Sequence, residues 1–227
     1  MLSIANATYN NHGQVCPMLN FAAFRDMPLE HAPFDHLIVP NFICDTALAD
    51  INESFPLIQH PGSFPISALT IGGAFENFVD QLRGKEFEQA IGNKFSIDLS
   101  NQPNMMTVRG QCRAQDGKIH RDSGGKIITV LVYLNGHWDR SGGQLRLLRS
   151  KNDIEDYSVT VPPVAGTLLA FRCSDNAWHG HKSYEGERRS MQLNWVRGRT
   201  YLWREALRHN LSAMLKNFSG RNSAGNK

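Results

Sequence analysis

Two stretches of the 227-residue chain carry residue types able to hold a metal ion. His120-Arg121-Asp122 closes one strand-like region, just before the apolar run KIITVLVYL. Side chains two apart on an extended backbone point to the same side, so the His120 imidazole and the Asp122 carboxylate can reach one ion. His179 lies in DNAWHGHKSY, 57 residues beyond Asp122. Two imidazoles and one carboxylate on one face of an octahedral ion leave three positions open, the donor set of a non-haem Fe(II) centre. His181 rivals His179 for the third position, because it is two residues on and shares its face if the strand stays extended. HxD by itself is too short a motif to identify a site.

The elements that must position these residues are legible from periodicity. After residue 100 the apolar period is two, in MMTVRGQCR (105–113), KIITVLVYL (126–134), GQLRLLR (143–149), YSVTV (157–161), GTLLAFR (166–172) and RRSMQLNWV (188–196). Gly, Pro, Asn and Asp separate these runs, which predicts an all-β sandwich or jelly roll. On the last run Ser190, Gln192 and Asn194 share one side, with Met191, Leu193 and Trp195 on the other. Before residue 100, FDHLIVPNFI (34–43) reads as a short strand with a turn at Pro40, and Asp45 reads as the N-cap of a helix through Ala47, Leu48 and Ile51. Residues 58–67 read as loop, and 75–95 as two short helices interrupted at Gly84. GGAF (72–75) reads as a hinge, a lid or a turn. Residues 201–218 place Leu202, Ala206, Leu207, Leu211, Met214, Leu215 and Phe218 on one side of an amphipathic helix. The last residues, 219–227, read as a disordered tail.

Composition excludes several classes. Hydrophobic residues make up 41% and charged residues 20%, a globular balance. No run of ~18 apolar residues predicts a membrane span, and the N-terminus has no basic start or long apolar stretch of the secretory kind. Cys16, Cys44, Cys112 and Cys173 form no CxxC pair, and reduced thiols in a cytoplasmic protein are the expectation. The net charge is +3, but seven basic residues and one acid give residues 197–227 a charge of +6. That tail reads as a solvated helix face; with no aromatic-and-basic stacking platform, nucleic acid is not an expected partner.

The order of motifs narrows the function. His120-Arg121-Asp122, Tyr133-Leu134-Asn135, Trp138, Gly142-Gly143, Pro162-Pro163, Gly166 to Phe171, Trp178-His179 and Gly186-Glu187-Arg188-Arg189-Ser190 follow one another at compatible distances. Over about residues 105–197 the chain resembles the iron(II)- and 2-oxoglutarate-dependent dioxygenases, in particular the prolyl-4-hydroxylase-like branch. The first hundred residues carry no such signature.

The resemblance implies a mainly β, α+β fold: a double-stranded β-helix with N-terminal helices and a C-terminal helix packed on it. Residues 1–218 would form one domain, with 1–100 a helical support region, 101–197 the β core and 198–218 the C-terminal helix. It implies His120, Asp122 and His179 as ligands of Fe(II). It places a basic residue nine or ten positions after the distal histidine to hold the far carboxylate of 2-oxoglutarate, which is Arg188 or Arg189; the G-x-R-x-S pattern selects Arg188. Tyr133 matches a tyrosine that hydrogen-bonds this co-substrate, and Thr129 is a weaker candidate on the same face. Where relatives use another tyrosine on the preceding strand, this chain has Arg109, Gln111 and Arg113, of which Arg109 or Arg113 could meet an anionic substrate or only water.

The implied reaction hydroxylates an unactivated C–H bond with O2 and releases succinate and CO2, with ascorbate a further candidate cofactor. Asp122 favours hydroxylation over halogenation, since halogenases of the superfamily replace that carboxylate with a small residue. The primary substrate is a prolyl or peptidyl group, or a small molecule such as an amino acid, sugar or natural product. A non-catalytic jelly-roll binding module is the reading from a different class. The expected assembly is a monomer, or a homodimer through the C-terminal helix.

Overall fold

Alternating side chains after residue 100 build two antiparallel sheets in a computed structural model of the protein. The structure describes residues 8–9 and 15–203. In chain order the elements are β1 (Thr8–Tyr9), β2 (Val15–Cys16), α1 (Phe21–Asp26), β3 (His36–Val39), α2 (Asp45–Glu53), β4 (Phe64–Pro65), α3 (Gly73–Arg83) and α4 (Lys85–Phe95). They continue with β5 (Asn104–Cys112), β6 (Lys126–Tyr133), β7 (Leu145–Leu148), β8 (Tyr157–Val161), β9 (Leu168–Arg172), β10 (His179–His181) and β11 (Gly186–Val196). The larger sheet has the order β3-β9-β6-β11-β5-β4, the smaller β10-β7-β8, and β1 pairs with β2. This is the mainly β, jelly-roll architecture expected from the strand pattern.

The period of two separates two cores. On β6 and β11, Ile128, Val130, Val132, Met191, Leu193 and Trp195 turn toward the helices. There they meet Phe75, Phe78, Val79 and Leu82 of α3 and Phe87, Ile91 and Phe95 of α4. These helix residues recur at three or four, so each helix presents one apolar stripe. Gly84 serves as the C-cap of α3 and the N-cap of α4, which divides the run as expected. The opposite faces of β6 and β9 bring Tyr133, Leu169 and Phe171 against Leu145, Leu147 and Val161 of the smaller sheet. A register slip of one residue would exchange the two faces.

Phe87 centres the helix-side core, with ring centroids 5.8 Å from Phe42, 6.1 Å from Trp195 and 6.3 Å from Phe24. Phe87→Ala is expected to cost about 3–5 kcal/mol, the range for deleting a fully buried aromatic. Urea denaturation reads this as a lower midpoint at unchanged slope.

Several expectations are revised. Cys44 caps α2 and Asp45 is its first helical residue, because the chain enters the helix one position earlier than the Asp suggests. The region before residue 100 is not only helical support: β3 and β4 supply both edge strands of the larger sheet. Gly72 and Gly73 open α3, and Phe75 is fully buried, so GGAF is a helix start. Cys44 is disulfide-bonded, whereas Cys112 and Cys173 are free. The expectation of four reduced thiols therefore fails for Cys44, and with it the thiol argument for a cytoplasmic location. No helix among the described residues is long and apolar enough to cross a membrane. A helical turn is described at 198–203; the rest of the expected C-terminal helix and the tail lie outside the described residues.

Candidate metal centre

Main-chain pairing brings the two histidines together. His120 and His179 form an antiparallel bridge, each N–H donating to the other's carbonyl at 2.9 Å. This extends the small sheet by one residue and sets the two imidazoles side by side, with ring centroids 4.3 Å apart. Asp122, two residues after His120, joins them: one ligand atom from each of His120, Asp122 and His179 lies within 4.8 Å of the others. His120 Nδ1 lies 2.8 Å from the Lys118 carbonyl and His179 Nδ1 2.9 Å from the Ala177 carbonyl. A carbonyl can only accept, so each Nδ1 carries the proton and each Nε2 keeps a lone pair for a metal. Burial, then the neighbouring His120, lowers the His179 pKa to about 4 against the opposing charge of Asp122, so the ring is neutral near pH 7.

The carboxylate is held from several sides. Lys126 Nζ donates to Asp122 Oδ1 at 2.7 Å, and the Thr129 hydroxyl donates to Oδ2. Cys173 Sγ lies 3.8 Å from Oδ2. Burial by itself would raise the Asp122 pKa; Lys126 above all, with His179 and the Thr129 hydrogen bond, outweighs it and holds the group below the usual carboxylate range. Burial and the charge of Asp122 push the Cys173 thiol up to about 12, so it stays protonated. Thr129 also accepts from Asn194 Nδ2 at 2.7 Å. Its hydroxyl thus faces the carboxylate and Asn194, not the cavity beside the triad. Thr129→Val is expected to weaken Zn(II) or Co(II) binding about tenfold, the lower end for losing a partner of a metal ligand, as read by calorimetric titration.

Beside the triad lies a cavity of about 120 Å³. His120 and His179 border it at one end, and Arg188, Ser190 and Gln192 project into it from β11. Arg188 is buried and donates Nε–H to the Gly143 carbonyl at 2.9 Å, its guanidinium lying 5.2 Å from the centre of the Tyr133 ring. Gly143 has φ +78°, and a Cβ there would lie 2.8 Å from Trp138, so the glycine is what lets this carbonyl approach Arg188. Tyr133 Oη is buried with no hydrogen-bond partner among the described residues. Burial pushes its pKa up, opposed by the adjacent Arg188 charge.

Arg189 faces the other way. It pairs with Glu187 at 2.6 Å, approaches Asn52 and lies over Phe55. The β5–β11 register shifts between Glu187 and Ser190, and Asn135 pins that irregularity by accepting from Arg189 N at 2.6 Å and donating to the Arg189 carbonyl at 3.1 Å. His181 lines the cavity but stands outside the triad. The contacts of Lys126, Cys173 and Asn194 with the ligand region went unread in the sequence. Only Lys126, four residues after Asp122 beyond a Ser-Gly-Gly turn, had a local signal. Trp138 packs on Tyr184 and donates to the Gly142 carbonyl.

A family model described as the 2OG-Fe(II) oxygenase superfamily matches residues 106–197. This segment is similar to that superfamily over about two-fifths of the chain. The oxygenase core lies within a fold shared with solved structures. A prolyl-4-hydroxylase from Pseudomonas putida is 20% identical at a TM-score of 0.51, covering 86% of this chain and 97% of its own. A structure from work on prolyl 4-hydroxylases of Phytophthora capsici is 13% identical at 0.52, covering 79% of this chain and 63% of its own. At these identities the likeness establishes the fold alone. No curated protein matches the chain in sequence. The superfamily implies a 2-oxoglutarate-dependent enzyme with Fe(II), and the oxygenase core fits both groups. Its donor set is two imidazoles and a carboxylate, and the cavity offers a buried guanidinium to an incoming carboxylate, with the buried Tyr133 ring beside that guanidinium.

Proposed function

We propose that the protein hydroxylates an unactivated C–H bond with O2 and 2-oxoglutarate. His120, Asp122 and His179 hold the iron, and Arg188 anchors the far carboxylate of the co-substrate with help from Tyr133. The observation that carries this reading is the convergence of the three ligand atoms within 4.8 Å, with both imidazoles oriented by backbone carbonyls. Fe(II) with 2-oxoglutarate supplies oxidation of a C–H bond by O2, with release of succinate and CO2.

The chain's own residues do the positioning. Lys126 and Thr129 fix the plane of the Asp122 carboxylate. The Gly143 carbonyl and the Tyr133 ring fix Arg188, whose planar guanidinium suits bidentate contact with a carboxylate. Leu131 and Leu145 supply apolar wall to the same cavity, which limits water around the reacting groups.

The substrate is a prolyl or peptidyl group, or a small amino acid, sugar or natural product; the domain plan of residues 1–218 and the monomer or dimer expectation belong to the same proposal. Anaerobic titration with Fe(II) and 2-oxoglutarate tests the chemistry. A weak visible charge-transfer band that needs both additions is the expected result. Its absence from correctly folded protein would turn the reading to a jelly-roll binding module.

A further inference from the structure

The cavity holds two guanidinium groups, and the co-substrate's far carboxylate accounts for one. Arg109 of β5 lines it together with Arg188. Its Nη1 donates to Asp116 Oδ2 at 2.8 Å and its Nη2 to Ser63 Oγ at 3.3 Å, so the side chain is fixed while one-quarter (25%) exposed. Asp116 does not belong to Arg109 alone. It also accepts from the Arg113 backbone N–H at 3.0 Å and from the Arg113 guanidinium at 3.2 Å. One carboxylate thus faces two guanidinium groups and leaves a positive charge over.

The cavity wall does not offset that charge, because no Asp or Glu among the described residues lines it. Arg188 hydrogen-bonds only a carbonyl among the described residues. Around Arg109 the wall is polar: Thr107 pairs across the strands with Gln192, and Arg109 with Ser190. A guanidinium carries five N–H donors, and the contacts of Arg109 leave its Nε–H without a partner among the described residues. His181 stands between these charges as a neutral ring; burial first, then Arg188 and Arg109, lower its pKa to about 4.

We propose that Arg109 is a second carboxylate-binding position in this cavity, distinct from the one assigned to Arg188. The proposal rests on the oxygenase reading, since it concerns the same cavity. Two sources share the chemistry. One is the other carboxylate of 2-oxoglutarate; the other is a primary substrate that is itself a carboxylic acid. The second source would separate a small acid from a mid-chain peptidyl residue, whose carbonyl carries no charge.

NMR of the full chain loaded with Zn(II) tests this through the arginine Nε–Hε resonances, assigned with Arg109→Lys and Arg188→Lys. 2-Oxoglutarate is added first, and acetate then follows as a monocarboxylate probe. An Arg109 shift with 2-oxoglutarate supports the proposal with the co-substrate as source. A shift only when acetate follows supports it with a substrate acid as source. Arg109→Gln should weaken the ligand concerned at least tenfold, as expected for loss of a charge-assisted hydrogen bond. If Arg188 responds to 2-oxoglutarate while Arg109 responds to neither ligand, the proposal is overturned and the oxygenase reading stands. If Zn(II) binds and neither arginine responds, the co-substrate assignment fails and takes the proposal with it.

Discussion

Replacing Asp122 by asparagine is expected to lower metal affinity about 100-fold or more and to bring 2-oxoglutarate turnover to background. Asparagine keeps the shape of the side chain but loses the charge that a divalent ion and Lys126 both face. A four-ligand zinc site is worth roughly 10–16 kcal/mol, so one ligand corresponds to about 3 kcal/mol, or about a hundredfold in binding. The measurements are Zn(II) or Co(II) titration and succinate release, with circular dichroism as the control for folding. That control matters because Lys126 is itself only 12% exposed and loses its ionic partner in this variant. His179→Ala provides an independent arm, since it removes a ligand and leaves the Lys126–Asp122 pair intact. Full metal affinity in both folded variants would sink the triad.

Arg188→Gln is expected to raise the dissociation constant for 2-oxoglutarate about 10- to 100-fold while metal affinity stays unchanged. Hydrogen bonds to a charged group contribute about 1.5–3 kcal/mol, which sets that range. Arg189→Gln is the decisive comparison. Its guanidinium sits over Phe55 and beside Asn52, away from the cavity, so co-substrate binding should stay within about twofold of wild type. Calorimetry with Zn(II)-loaded protein reads both variants. Equal losses would mean that the two arginines do not face opposite ways.

Much of the scaffold was legible because it depends on neighbours in sequence. The alternation in 188–196 assigned Leu193 to one face and Ser190 and Gln192 to the other, and the sheet keeps that division. Gly84 marked the break between α3 and α4 because a run of helical spacing needs a residue that leaves it. Of the two edge strands, β3 was read as a short strand before Pro40. β4 was not: it has two residues inside an expected loop, too short for a period to show, and it exists through pairing with β5.

What the sequence by itself determined is which residues could share a face. His120 with Asp122, His179 with His181, and Arg188 with Ser190 all follow from extended backbone. Which of these meet was decided only in three dimensions. His179 rather than His181 stands against His120 because the two backbones exchange hydrogen bonds at that position, 59 residues apart in the chain. Arg188 enters the cavity on the face of Ser190 and Gln192, while the backbone of Arg189 is held by Asn135, 54 residues away at the end of a neighbouring strand. Cys173 reaches Asp122 across 51 residues by the pairing of β6 with β9. Local stereochemistry sets the direction of a side chain, whereas the partner it finds depends on the register between distant strands, which the order of residues alone does not express.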